Sequence, residues 1–192
     1  YWRGSEKNPQ LQRIYGTAWE SRAAQDSYLK MLEEAERRDH RKLGAELDLF
    51  SFSPLAPASP FFHPRGAVVY NQLVEFMRSL YREFGHEEVI TPQLFDVDLW
   101  KRSGHYEAYR ENMFFSEVEG REFSLKPMNC PAACLIYSTR AHSYRDLPIR
   151  LADFGRLHRY ERSGVVQGLT RVRSFAQDDA HIFCTPEQIG VE

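Results

Sequence analysis

Large apolar residues recur at Val69, Leu73, Phe76, Met77, Leu80 and Phe84, spaced by three and four. That spacing places them on one face of a helix, predicted from about Gly66 to Phe84 and ended by Gly85. Upstream the pattern differs. From about Thr17 to Glu46 the chain is rich in Ala, Leu, Glu, Lys and Arg, with few large apolar residues between Glu33 and Lys42. Glu33 with Arg37 and Glu34 with Arg38 are acid-before-base pairs four apart, which support an exposed helix. A helix this polar bridges domains. Residues 17–48 are therefore expected to be a linker helix, weakened near its end by Gly44. Residues 1–16 are expected to be the end of a preceding region, and residues 49–192 the start of a folded domain.

Within that domain the periods change. Pro54, Pro57, Pro60 and Pro64 mark an extended, irregular segment. "HEEVITPQLF" predicts a short strand, placed at an edge or interface by Pro92. Asp98–Arg102 predicts a short helix. "MFFSEVEGREFSLKP" predicts a hairpin turning at Glu119-Gly120, and Pro131 opens a helix through Ser138. "DLPIRLADFGRLHRYE" and "RVRSFAQDDAHIFC" predict an outgoing and a returning strand around the loop "RSGVVQGLT". On the returning strand a period of two sorts Arg171, Arg173, Phe175, Gln177, Asp179 and His181 onto one face. The other face holds Val172, Ser174, Ala176, Asp178, Ala180 and Ile182. On the outgoing strand Arg159 and Glu161 share a face.

That polar face suggests chemistry. If the strands pair antiparallel with these faces together, they offer guanidiniums for phosphate, a ring for stacking on a base, and acceptors for amino groups. The competing interpretation is a solvated sheet face, which seldom carries Phe between Arg and Gln. Cys130 and His181 are zinc-ligand types, but equally a buried thiol and a hydrogen-bonded histidine. Cys134 and Cys184 read as core. His105, in "SGHYEAY", reads from composition as a surface residue, as do His63 and His142.

Composition narrows the classes. The 192 residues are 42% hydrophobic and 27% charged, enough for a core in a soluble protein. A formal net charge of -2 argues against wholesale polyanion or membrane binding. Three cysteines make no disulfide framework. No apolar run approaches the ~18 residues of a membrane span. The first residues show neither a signal peptide nor an initiator Met. The expectation is a cytoplasmic protein, of which this is one piece.

"FGHEEVITPQLF", "LKPMNCP", "DLPIRLADFGRLHRYE" and "RVRSFAQDDAHIFC" together resemble the threonyl-tRNA synthetases, a family of class II aminoacyl-tRNA synthetases. The resemblance extends to "YWRGSEKNPQLQRIYGTAW", similar to the end of that family's editing region. It implies an α+β fold, an antiparallel sheet flanked by helices, with motifs 1 and 2 present here and motif 3 absent. It implies activation of threonine with ATP and transfer to tRNA(Thr), with Mg accompanying ATP and a homodimer formed through motif 1. By resemblance Arg159 holds the α-phosphate and the threonine carboxylate. Glu161 accepts from the adenine amino group, Phe175 stacks on adenine, Arg171 assists the phosphates, and Gln177 positions the reacting groups. Asp179 accepts from the threonine hydroxyl, Met128 lies with Gln177 at the threonine, and His105 matches a base acting on the tRNA terminal ribose. Cys130 and His181 match two of three zinc ligands, the third lying outside this chain. Departures are Ala132-Ala133 after "NCP", Arg162 and Gln167 in the loop, and Ser174 and Ala176 on the returning strand. They keep open a non-catalytic paralogue with a binding or regulatory role. The segment alone is expected to be inactive.

Overall fold

The computed structural model describes residues 7–10, 12 and 14–192. The expected end of a preceding region, residues 1–16, therefore lies partly outside the described residues. The chain divides into two compact units, residues 1–39 and 40–192.

The first unit carries α1 (Arg22–Arg37). Ser21 caps it, its hydroxyl accepting from Ala24 N. Glu34 pairs with both Arg37 and Arg38, and no residue of the helix is buried. The expected linker helix over residues 17–48 is two helices, because α1 stops at Arg37 and a new one starts at His40.

The second unit begins with α2 (His40–Glu46), β1 (Phe50–Ser53) and β2 (Ala56–Phe62). β1 and β2 form an antiparallel hairpin where the prolines predicted irregular chain. The apolar stripe becomes α3 (Pro64–Phe84), with Gly85 capping it. "HEEVITPQLF" is not one strand. It splits into β3 (Glu87–Glu88) and β4 (Leu94–Asp96), which belong to different sheets on either side of Pro92. α4 (Asp98–Arg102) and α5 (His105–Tyr109) follow. The hairpin of β5 (Phe115–Val118) and β6 (Arg121–Leu125) turns where predicted. Glu119 and Gly120 both have positive φ, 53° and 73°, as a tight two-residue turn of matching twist requires.

α6 (Cys130–Tyr137) leads to the remaining strands, β7 (Ile149–Asp153), β8 (Arg156–His158), β9 (Ser174–Ala176) and β10 (Asp179–Phe183). Both long predicted strands are interrupted, at Phe154-Gly155 and at Gln177-Asp178. β7 pairs antiparallel with β10 and parallel with β3. β8 pairs antiparallel with β9, and β6 lies between β4 and β5. Single backbone bonds tie these ladders together, such as His158 N to Lys126 O at 3.0 Å and Lys126 N to Gln93 O at 2.8 Å. Val97, Trp100 and Met113 form a buried cluster, with Phe95, Leu99, Phe115 and Met128 packed on it. No helix among the described residues is long and apolar enough to cross a membrane.

Candidate active site

The two strands around the loop pair antiparallel, Leu157 opposite Phe175, and Arg159 N continues the ladder to Arg173 O. This register brings Arg159, Glu161, Arg171 and Phe175 around one cavity of about 540 Å³, closed by Leu169, Thr170, Val172 and Ala176. The Arg159 guanidinium lies 5.2 Å from the Phe175 ring centroid, and its Nε donates to Pro127 O at 3.1 Å. Arg171 Nε donates to Glu161 Oε2 at 2.9 Å. Two cations, one anion and one aromatic face therefore meet in a space large enough for a nucleotide-sized ligand.

Strict alternation fails at one position. Arg173 does not line this cavity. Its Nε donates to Glu161 O, its guanidinium lies over Tyr160, and it borders a separate space of about 220 Å³ with Pro57, Phe114 and His158. Arg173 N bonds Ala58 O of β2 while its carbonyl accepts from Arg159 N, so its two backbone groups serve different strands and the regular pleat does not set its side.

Asp179 begins β10 opposite Asp153, and His181 follows on the same face. Asn129 Nδ2 donates to Asp179 Oδ2 at 3.1 Å. Cys130 opens α6 with its surface exposed, and its thiol is held above its usual pKa by partial desolvation, then by the charge of Asp179. Cys130 and His181 supply two donors of zinc-ligand type. Among the described residues no group of three His, Cys, Asp or Glu is placed to hold a metal ion. The donors present do not close a zinc site.

The other expected residues stand further out. Gln177 is exposed, and its N donates to Gly155 O at 3.2 Å. Met128 packs against the Val97–Trp100–Met113 cluster. His105 begins α5, its Nδ1 2.8 Å from Ser103 Oγ, and does not line the cavity. Of the departures, Ala132 and Ala133 are buried in α6 and Ser174 is buried in β9, so each is a packing position.

Sequence patterns missed the supports behind these groups. Lys126 is wholly buried, with Nζ donating to Thr91 Oγ1 and, at 3.3 Å, to Asp153 Oδ2. Tyr81 of α3 donates its hydroxyl to Asp178, and burial, then this bond, raises the phenol above its ordinary pKa. A lysine reads as surface by type, so only its place after an apolar strand hinted at burial.

A family model for the tRNA synthetase class II core domain (G, H, P, S and T) matches residues 109–191. A threonine–tRNA ligase of Bdellovibrio bacteriovorus is 60% identical over 192 residues, all of this chain and 29% of that protein. One from Thermotoga maritima is 58% identical over 193 aligned positions, again all of this chain and 30% of that protein. The chain thus spans under a third of the length of these curated relatives. The crystal structure of the RNA binding domain of threonyl-tRNA synthetase from Cryptosporidium parvum superposes with a TM-score of 0.78. It is 60% identical, covering 79% of this chain and 38% of that one. A Giardia lamblia prolyl-tRNA synthetase in complex with prolyl-adenylate shares the fold at a TM-score of 0.72 and 20% identity. That match covers 82% of this chain and 33% of that one.

Proposed function

We propose that this chain, related along its whole length to the threonine–tRNA ligases, carries the substrate floor of such an enzyme. The intact protein would activate threonine with ATP and transfer it to tRNA(Thr). The observation that carries this is the convergence of Arg159, Glu161, Arg171 and Phe175 on one cavity between antiparallel strands.

In the first step a threonine carboxylate oxygen attacks the α-phosphorus in line. A P–O bond to the carboxylate forms, the bond to the bridging oxygen breaks, and pyrophosphate leaves. Arg159 holds the α-phosphate and the carboxylate together and offsets charge that grows in the transition state. Arg171 donates to the outer phosphates, where Mg would accompany ATP. Phe175 offers its face to adenine, and Glu161 accepts from the adenine amino group. Gln177 orients the reacting groups.

Asp179 would accept from the threonine hydroxyl, with Met128 and Gln177 beside the amino acid. Cys130 and His181 would be this chain's two donors to zinc, the third coming from elsewhere. A site that binds the hydroxyl rejects valine strongly. Serine, one methyl smaller, is disfavoured by only about 1–3 kcal/mol. His105 would act later, as base on the tRNA ribose. α3 leaves Val69, Leu73, Phe76 and Phe84 exposed on one helix, which supports a homodimer through this face. A cytoplasmic location fits a protein of this activity.

The test is threonine-dependent ATP–pyrophosphate exchange by the intact protein, with valine and serine as competitors. Exchange with threonine, little with valine, and a loss on the order of 10³-fold in Arg159→Ala are expected. Near-normal exchange in Arg159→Ala would sink the role. No exchange in the wild type would favour the non-catalytic paralogue that the Ala132-Ala133 departure keeps in view.

A further inference from the structure

The structure assigns Lys126 the part of a positioning residue for the proposed adenylation site, an inference that rests on the functional reading above. Lys126 has no exposed surface. Its Nζ donates to Thr91 Oγ1 and to Asp153 Oδ2, the latter at 3.3 Å. Thr91 Oγ1 in turn donates to Asp153 Oδ2 at 2.6 Å. The backbone is gripped as well, with Lys126 N on Gln93 O at 2.8 Å and His158 N on Lys126 O at 3.0 Å. One residue is therefore pinned to the β3–β4 connection, to the end of β7 and to β8.

The groups assigned to the substrates hang from this point. Pro127 O takes the Arg159 Nε bond at 3.1 Å. Asn129, 1% exposed, donates to Asp179 Oδ2 at 3.1 Å. Gly155 packs so closely that a Cβ there would lie 2.1 Å from Asn129 Oδ1 and 2.7 Å from Lys126 Nζ. The Gly155 carbonyl receives Gln177 N at 3.2 Å. Arg159, Asp179 and Gln177 are thus each one bond from the turn that starts at Lys126, or from the glycine pressed against it.

A buried ion pair is weak evidence of stability, since apolar replacements of similar volume often do as well. What the Lys126 pair supplies is a direction. Its ammonium is fixed between Thr91 Oγ1 and Asp153 Oδ2, and misplacing reacting groups by about 1 Å costs on the order of 10²-fold in rate.

Kinetics on the intact protein separate this role from a merely structural one. Threonine-dependent exchange is measured for wild type, Lys126→Met, Thr91→Val and Val97→Ala, each with its urea midpoint. Val97→Ala weakens the buried cluster around Trp100 and serves as the stability control. In Lys126→Met, kcat/KM for threonine should fall on the order of 10²-fold. In Thr91→Val, which keeps the shape and removes the hydroxyl bonded to both Lys126 and Asp153, it should fall about tenfold. The losses should appear in kcat and in the threonine KM, with a smaller rise in the ATP KM, because Arg159 is assigned to the α-phosphate while Glu161, Arg171 and Phe175 hang on the neighbouring hairpin. Val97→Ala should keep wild-type kinetics at a lowered midpoint. Wild-type kinetics in Thr91→Val overturns the positioning role, even where Lys126→Met fails to fold. An equal loss in Val97→Ala overturns it too. A wild type without threonine-dependent exchange is a different failure: it removes the functional reading, and the positioning role with it.

Discussion

Arg171 and Glu161 face each other across the loop between the outgoing and returning strands, Nε to Oε2 at 2.9 Å. The bond uses one carboxylate oxygen and one guanidinium nitrogen, so each side chain keeps atoms for a ligand. It also holds the two expected nucleotide contacts at a fixed separation. A charge-assisted bond of this kind contributes about 1.5–3 kcal/mol when shielded and less when exposed. Arg171 is exposed, so the smaller contribution applies. Arg171→Ala should raise the ATP KM by about tenfold while the threonine KM stays near wild type. Glu161→Gln, which keeps the shape and loses the charge, should give a smaller rise. Initial-rate exchange kinetics in both substrates measure this.

Gly155 leaves no space for a methyl group beside Asn129 Oδ1 and Lys126 Nζ. Gly155→Ala should lower stability by about 1–3 kcal/mol, the usual cost of overpacking. It should also raise the threonine KM, since Asn129 must shift and Asp179 with it. A urea titration reads the first effect and exchange kinetics the second.

His158 has its pKa lowered below the ordinary imidazole value, chiefly by burial and then by the nearby Arg156. The folded ring stays neutral where the unfolded chain already binds a proton. Stability from this residue is therefore full above about pH 6.5 and declines as pH falls below it, until the folded ring also protonates. The urea midpoint of the wild type should drop between pH 7.5 and 5.5, and His158→Gln should flatten part of that drop.

Leu73 and Phe76 are 62% and 60% exposed on α3, too much apolar surface on one helix to leave unexplained. The double substitution Leu73→Asp with Phe76→Asp should convert a dimer to a monomer in sedimentation velocity. Folding should be retained, because neither side chain is in the core. A wild type that sediments as a monomer would remove the dimer from the functional reading.

Much of this was legible in the chain. The apolar spacing of α3 and its glycine stop, and the Glu119-Gly120 turn, depend on local rules and appeared where expected. Arg159, Glu161, Arg171 and Phe175 were also legible, because an antiparallel return of period two brings them together whatever surrounds them. The breaks were not. Helix propensity runs unbroken through Arg38, yet α1 ends and α2 begins there. "HEEVITPQLF" and the two long strands look continuous, but each changes partner midway, and partners are a tertiary matter. Arg173 left the predicted face for the same reason: β2 claims its N–H. Lys126 was invisible because residue type argues for the surface, and only Thr91 and Asp153, brought from 35 and 27 residues away, make its burial tolerable.

The outgoing chain changes ladder at Phe154-Gly155, and the returning chain does so at Gln177-Asp178. On the proposed assignment the nucleotide contacts stand on β8, β9 and their loop, while Asp179 and His181 stand on β10 against β7. On that assignment the two kinds of contact stand on separate ladders and are coupled through Arg159 and the turn that starts at Lys126. A substitution on β10 or α6 that alters the amino-acid side is then felt on the nucleotide side through those same bonds.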